Sequence, residues 1–224
     1  MRFTSMSIRS VTLAAAMLAV GAAHANLTIP TNALVANSVQ AFSSEATDAF
    51  AAGGVEIAAQ GNATNPTEGS YSFPITSISI GSGLKIAGGQ ASGSALQLSR
   101  LAKGAGTVGV TIANFTINYN TKQVLADTTP MGGTTAKQAP LYNFNTATPL
   151  GIKYKFPLSI TAHEVLDNLT LTPEMNATMK SALKLTPALA AALDSITTFG
   201  TLTQDIVVAF RPKPVSATPY VPAP

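Results

Sequence analysis

Residues 106–120, GTVGVTIANFTINYN, constrain the fold most strongly because apolar side chains recur in them at every second position. The first set is Val108, Val110 and Ile112, and after a shift at Ala113 and Asn114 the second set is Phe115, Ile117 and Tyr119. Successive side chains of a strand point to opposite faces, so this period predicts a β-strand with one buried face. The shift by one residue predicts a β-bulge near Asn114.

Composition and further alternation extend this prediction to the rest of the chain. Charged residues make up only 10% of the sequence, and Thr, Ser, Gly and Asn are abundant, which is typical of β-rich extracytoplasmic proteins. Alternation also predicts strands at residues 75–80, 123–127, 152–156 and 202–208. The stretch GGQASGSA predicts a flexible loop that joins two short strands, residues 84–87 and 95–101.

Three segments carry the signals of short helices, namely an N-capping Ser or Thr, in two cases followed by Pro. They are residues 39–52 after Ser38, residues 174–185 after Thr172, and residues 188–196 after Thr186. Together with the strands they predict a mainly β fold, an antiparallel β-sandwich with two or three short helices packed at its ends.

The stretches that begin at Asn26 and Asn168, NLTIP and NLTLTP, are nearly alike. Each precedes a predicted helix and a further strand, so two strand-helix-strand units are expected to cap the sandwich, with Phe42, Phe50 and Leu183 in the core. The likeness reflects either a true internal duplication or a coincidence in a Thr-rich chain.

The first 25 residues have the features of a signal peptide. Arg2 and Arg9 precede an apolar run at residues 11–22, and the Ala-His-Ala sequence at residues 23–25 fits the small-x-small cleavage pattern. We therefore expect cleavage after Ala25 and a secreted or periplasmic mature protein. No later apolar stretch reaches the roughly 20 residues that span a bilayer, so no transmembrane segment is expected in the mature chain.

Beyond the signal peptide, residues 1–25, we expect a single β-rich domain at residues 26–210 and a Pro-rich tail at residues 211–224. Five prolines among the fourteen residues of the tail remove N–H donors. The tail is therefore expected to be extended, and its removal to leave folding intact.

Charge and cysteine content narrow the classes of partner. Without the two arginines of the signal peptide, 11 basic residues stand against 10 acidic residues, which leaves a net charge close to +1. No run of basic residues interleaved with aromatic residues is present, so we expect no nucleic-acid partner. The chain has no Cys, so its stability must come from its core. The partners are unknown, with cell-surface or envelope components as candidates.

Few side chains offer catalytic or metal-binding chemistry. His163 is the one histidine left after signal cleavage, which excludes zinc motifs with two histidines. His163 and Glu164 are adjacent and would point to opposite faces of a strand, so a solvated turn is preferred over an acid/base pair. The Gly-rich stretch around Ser92 lacks the strand-to-helix context of a nucleophile elbow. We predict no catalytic residue, no metal ligand, no cofactor and no enzymatic activity, and any cofactor-binding residues are unknown.

The segments GSYSFPITSISIG, VTIANFTINYN, APLYNFN and NLTLTPEMNATMKSAL occur in an order that resembles the HtaA-like domains of secreted bacterial proteins. The resemblance covers residues 55–208 and implies a β-sandwich, and some members of the family bind haem at the cell surface. Haem-binding members carry a Trp and an axial Tyr near the start of the domain, whereas this chain has no Trp and no Tyr in SVQAFSSEATDAF. Haem binding is therefore carried over to no residue. Tyr71 and His163 could ligate iron as isolated side chains, and structural roles are expected for both.

These observations favour a secreted, non-enzymatic protein that works by surface contact as an adhesion, envelope or matrix component. The alternative is a binding module for a small apolar or haem-like ligand held between the sheets or under the helices. A hydrolase with an unfamiliar site is a third hypothesis. An apolar cavity with convergent polar groups would favour the second hypothesis, and a buried pair of acids in a cleft would favour the third.

Overall fold

The computed structural model describes residues 27–30, 35–80, 86–155, 159–209, 211, 213 and 215–223. The predicted signal peptide, residues 1–25, lies outside the described residues, as do residues 84 and 85 of the strand predicted at residues 84–87. The strands within these ranges are β1 (Leu27–Pro30), β2 (Val35–Ala41), β3 (Glu56–Gly61), β4 (Thr64–Thr67), β5 (Ser70–Pro74), β6 (Ser77–Ile80), β7 (Ile86–Ala102), β8 (Gly106–Asn118), β9 (Gln123–Pro130), β10 (Ala136–Lys155), β11 (Ser159–Leu171) and β12 (Thr201–Val208). The helices are α1 (Ser44–Ala52), α2 (Pro173–Ala182) and α3 (Pro187–Ser195).

All described strands belong to one antiparallel sheet with the order β1-β6-β7-β8-β9-β10-β11-β12-β2-β5-β4, and β3 pairs with β7 beside β6. β5 and β6 follow each other almost directly in the sequence, but β5 pairs with β2 near one end of this order and β6 pairs with β7 near the other. The two ends of the sheet therefore lie side by side, and the sheet nearly closes. At this seam the Ile75 N–H donates to the Ala36 carbonyl at 2.9 Å and the Thr76 N–H to the Gln90 carbonyl at 2.7 Å. The predicted mainly β, antiparallel class with short helices is confirmed, and its facing layers belong to one continuous sheet.

The helices pack at one end of the nearly closed sheet and complete its core. Phe50 of α1 and Leu183 just after α2 are buried, and Phe42 packs against the same cluster. The ring of Phe42 meets the ring of Phe50 edge-on, with centroids 5.7 Å apart, as aromatic pairs prefer. The predicted core positions of Phe50 and Leu183 are confirmed, whereas Phe42 is partly buried and precedes the helix on which it was predicted. No helix among the described residues has the length and apolar character needed to cross a membrane.

The first helix begins later than predicted. Residues 39–41 belong to β2, where Ser38 and Gln40 point into the core, and the N-cap is Ser43, whose hydroxyl accepts the Ala46 N–H at 3.2 Å. The helical spacing of Val39 and Phe42 predicted an earlier start, but strand pairing on both sides of β2 keeps residues 39–41 extended. The predicted caps of α2 and α3, Thr172 and Thr186, are confirmed.

The predicted Gly/Ser loop between two short strands is wrong, because β7 is one strand of 17 residues. Its pairing with β8 shifts register between Ala91 and Ala95, and Gly93 at this shift has φ +76°. Glycine adopts this left-handed backbone without strain, so the stretch forms a bulge inside a strand instead of a loop.

The two similar stretches of sequence occupy different places in the sheet. Residues 27–30 form the short edge strand β1, which pairs with β6, whereas residues 168–171 end the long strand β11, which lies between β10 and β12. This difference in pairing favours coincidence over internal duplication.

Candidate functional site

The two side chains considered as iron ligands lie on different faces of the sheet. Tyr71 is buried in the core, its hydroxyl donates to the Ile57 carbonyl at 3.1 Å, and burial raises its pKa. His163 is exposed on the outer face, with Nδ1 2.7 Å from Asp205 Oδ1 across the β11–β12 pair. The structure therefore does not bring them together, and each has a partner of its own.

His163 and Glu164 lie within β11, so the expected solvated turn is wrong, while the expected opposite orientation is confirmed. The carboxylate of Glu164 is buried inside the sheet. It accepts a hydrogen bond from Tyr119 Oη at 2.5 Å and one from Gln204 Nε2 at 2.8 Å. Gln204 also donates to Tyr119 Oη at 3.1 Å, so the three side chains form a closed polar cluster.

Burial raises the pKa of Glu164, and the hydrogen bond from Tyr119 only partly offsets this effect. Burial also raises the pKa of Tyr119, and the neighbouring Glu164 charge raises it further. Both groups therefore favour their neutral forms more than in water, because a low-dielectric interior disfavours charge.

Glu164 should make stability depend on pH. Because its folded pKa is raised, its stabilising contribution is complete below the ordinary value of 4.5 and is lost as pH rises through the folded pKa. The Glu164→Gln variant keeps an acceptor for both partners and has no ionisation. We expect the stability of the natural protein, measured as the urea midpoint, to fall relative to this variant as pH rises above 4.5. Parallel curves for the two proteins would contradict a buried, titrating Glu164.

Beside this cluster the core encloses a space of about 30 Å³, counted as volume open to the centre of a water-sized sphere. Ser38, opposite Gln204 in the register, lines it, and Ser38 Oγ has no hydrogen-bond partner among the described residues. A water needs about 10 to 15 Å³ by this measure, and ligand pockets occupy about 300 to 1,000 Å³. This cavity among the described residues thus has room for one or two waters and is too small for a haem-sized ligand.

A second set of polar groups holds the C-terminal segment, residues 215–223, against the outside of the sheet. This segment has no regular secondary structure. Asn62, which follows β3, donates to the Ser216 carbonyl at 2.8 Å, and the side chain of Asn114 in β8 pairs with the backbone of Tyr220. We call the surface formed by Gly61, Asn62, Gly93 and Asn114 the tail groove.

Asn114 is the main contact of the tail groove. Its Oδ1 accepts the N–H of Tyr220 at 2.7 Å and the N–H of Gly93 at 3.0 Å. Its Nδ2 donates to the Tyr220 carbonyl at 3.0 Å and to Asp127 Oδ2 at 2.9 Å. An Asn amide has two donors and two acceptor positions, so all four are used and the orientation of the amide is fixed. Asn114 therefore binds both the N–H and the carbonyl of one residue of the C-terminal segment.

Asp127 fixes this amide from behind. It is buried and accepts hydrogen bonds from Asn114, from Lys137 Nζ at 2.8 Å and from the Gln138 N–H at 3.0 Å. Burial alone would raise the pKa of Asp127, but the hydrogen bonds from Lys137, Asn114 and Gln138 outweigh it and leave the pKa below its ordinary value. The carboxylate is thus held ionised.

Two glycines make room for the segment. A Cβ on Gly61 would lie 2.1 Å from the Gly93 carbonyl oxygen and 2.9 Å from Tyr220 Cδ2, and a Cβ on Gly93 would lie 2.9 Å from the Thr218 carbonyl oxygen. Both glycines also have positive φ, +62° and +76°. The groove consequently depends on left-handed backbone at these two positions, which glycine adopts without strain.

Arg211 holds the start of the tail. Its Nη2 donates to the carbonyls of Ala36 at 3.2 Å and Ile75 at 3.1 Å, at the seam between β5 and β6. Residues 215–223 pair with no strand, as the prolines predict, but they are nevertheless held by hydrogen bonds. Side chains of the sheet supply the donors and acceptors, so the prolines do not prevent binding.

Removal of residues 216–224 should therefore lower stability, against the expectation from sequence. Three hydrogen bonds would be lost, each with a net worth of about 1 kcal/mol, so we expect a loss of about 1 to 3 kcal/mol. In a domain of this size that loss lowers Tm by several degrees, which a thermal melt resolves. An unchanged Tm would contradict a docked tail.

Sequence reasoning found the bulge at Asn114 but not its role. The missed residues had local signals, because a Gly inside a strand pattern, such as Gly93, often marks a bulge or a close approach of another backbone. No local signal joins Asn114 to its partners, since Tyr220 is 106 positions away in the sequence.

Comparisons with known proteins add a likeness of fold. No protein-family model and no curated protein matches the chain. Among solved structures, the chain is similar to the C-terminal domain of HtaA from Corynebacterium glutamicum, with a TM-score of 0.49 and 13% sequence identity over 78% of this chain and 98% of that chain. The weak resemblance inferred from the sequence is confirmed. It concerns the path of the chain, and we transfer no ligand or residue role from it.

Proposed function

We propose that this protein is a non-enzymatic, extracytoplasmic β protein that works by surface contact and binds extended peptide segments in its tail groove. The observation that carries the proposal is the pairing of the Asn114 amide with both backbone groups of Tyr220. An extended peptide offers such paired backbone groups whatever its side chains, so an amide of fixed orientation suits a peptide ligand. The proposal assigns a specific surface, the tail groove, to the adhesion, envelope or matrix role that the sequence favours.

The groove supplies selectivity as well as backbone contacts. Asn62 binds the carbonyl of Ser216, four residues before Tyr220, so the two amides fix the register of a bound strand. The Tyr220 ring lies against Gly61, where any side chain would collide with it. The preferred ligand is therefore an extended segment with an aromatic residue at the position bound by Asn114.

The remaining features agree with this role. The features of a signal peptide support an extracytoplasmic protein, and without Cys its stability comes from its core. The buried acid Glu164 is enclosed with Tyr119 and Gln204 beside a space of water size, which supports a structural role for it.

The proposal is tested with the protein that lacks residues 216–224 and a fluorescent peptide of sequence VSATPYVPA, residues 215–223. We expect saturable binding by fluorescence anisotropy, with Kd between about 10 μM and 1 mM, as a few hydrogen bonds and one aromatic contact provide. A peptide with Tyr220→Pro loses the N–H and the ring and should bind at least tenfold more weakly. A peptide with Val221→Ala is the control, because Val221 is 76% exposed.

Equal binding of the Tyr220→Pro and natural peptides, or no binding of either, would contradict the proposed function. The full-length protein provides a further check, since its own tail occupies the groove. It should bind the labelled peptide more weakly than the truncated protein.

A further inference from the structure

We infer that the partner segment of the tail groove is the C-terminal segment of a second copy of this chain, so that copies associate tail to groove. The inference rests on the proposed function and adds the identity of the ligand. Copies would then meet through the same residues that hold the tail in one molecule, Asn62, Gly93 and Asn114 on one side and residues 216–220 on the other.

The C-terminal segment fits the groove. Residues 216–220 match the groove at two separated points, the carbonyl of Ser216 and both backbone groups of Tyr220. The sequence SATPY occurs once in the chain, and every copy carries it with one groove. A contact that forms within one molecule forms with the same geometry between two molecules, as in domain swapping.

The net charge of the chain permits two copies to approach each other. The chain beyond residue 25 has 11 basic and 10 acidic residues, so two copies approach each other almost without long-range repulsion. A net charge near zero favours association between copies.

The tail of a second copy competes for the groove with the molecule's own tail. Seven residues, 209–215, join β12 to the docked segment, and a short linker gives the molecule's own tail an effective concentration of about 1 mM at its groove. Binding of a tail by the groove of another copy then prevails where the protein concentration exceeds about 1 mM, or where a molecule's own tail is prevented from docking. One tail and one groove per copy give a head-to-tail contact, which closes into a pair or extends into a chain.

Two variants with complementary defects test the inference. The acceptor lacks residues 216–224 and keeps an open groove. The donor keeps its tail and carries Asn114→Gly, which removes the amide while glycine tolerates the φ of +54° at this position. We expect each variant to sediment as a monomer and an equimolar mixture at about 1 mM to form a 1:1 complex, since this concentration is close to the expected Kd. Tyr220→Pro in the donor should abolish the complex, and Val221→Ala should preserve it.

A second form of the experiment does not depend on the Asn114 substitution. Deletion of residues 212–215 shortens the linker by up to about 14 Å, and we expect this to weaken docking of the tail in its own groove. This variant should self-associate, and the same variant with Tyr220→Pro should be monomeric.

The two proposals fail in different ways. If the peptide VSATPYVPA binds the truncated protein but the mixture and the short-linker variant stay monomeric, association between copies is wrong and the peptide-binding function stands. If the peptide does not bind either, both proposals are wrong.

Discussion

Replacement of Phe50 by alanine is expected to lower the free energy of unfolding by about 3 to 5 kcal/mol, the usual cost of truncating a buried Phe. Phe50 is 6% exposed, and its ring contacts those of Phe42 and Phe199, with centroids 5.7 Å and 6.2 Å away. Removal of the ring leaves a cavity where α1 meets the open end of the sheet. Because a domain of this kind has only about 5 to 15 kcal/mol in total, a large drop in Tm should follow.

Asp48→Ala provides the matched control on the same helix. Asp48 is exposed, and its replacement should change stability by less than about 0.5 kcal/mol. Glu45→Ala is not a suitable control, because Glu45 Oε2 accepts hydrogen bonds from the N–H and the hydroxyl of Thr197 at 3.0 Å and 2.8 Å. Equal Tm values for Phe50→Ala and the natural protein would contradict the packing of α1 as a cap.

Replacement of Asp127 by alanine should cost about 3 kcal/mol or more at neutral pH, because each hydrogen bond to a charged group contributes about 1.5 to 3 kcal/mol. The buried donors of Asn114 and Gln138 would lose their acceptor, and the Asn114 amide would be free to turn. The tail should be released together with the loss in stability. Chemical denaturation followed by Tyr fluorescence measures the first effect, and proteolysis of the C-terminal segment measures the second.

The pH dependence of this effect has a definite sign. Asp127 has a lowered pKa, so its stabilising contribution is present above the ordinary value of 3.8 and is lost as pH falls through the folded pKa. The difference between natural and variant proteins should therefore shrink at acid pH. Lys137→Met is the comparison, and it should cost less than Asp127→Ala because the Lys137 side chain is 65% exposed and Asn114 and Gln138 keep their acceptor. An effect of Lys137→Met as large as that of Asp127→Ala would contradict the role given to Asp127.

The sequence predicted the sheet better than the site, for a physical reason. Alternation of side chains is local, so the strand around Ile112 and its bulge at Asn114 could be predicted from a few neighbouring residues. The stretch around Gly93 was predicted as a loop because its glycines are also typical of loops. Its pairing partners in β3, β6 and β8, which hold it as a strand, lie elsewhere in the sequence.

The same reasoning explains the error at the first helix. Ser38 and Ser43 both precede apolar residues and both can cap a helix, and the local pattern does not choose between them. The choice follows from the pairing of β2 with β5 and β12, which keeps residues 35–41 extended. The tail groove could not be predicted at all, because its residues come from the end of β3, from β7 and from β8, and the segment bound in it comes from the end of the chain.

The central claim is that Asn114 holds the backbone of Tyr220, and the exchange rate of the Tyr220 amide hydrogen tests it most directly. In the folded full-length protein we expect this amide to exchange at least about tenfold more slowly than in the free peptide VSATPYVPA, since its N–H donates to Asn114 Oδ1 at 2.7 Å. The protection should disappear in the Asn114→Gly variant while the amides of the core strands stay protected. Exchange of the Tyr220 amide at the free-peptide rate in the natural protein would contradict the account.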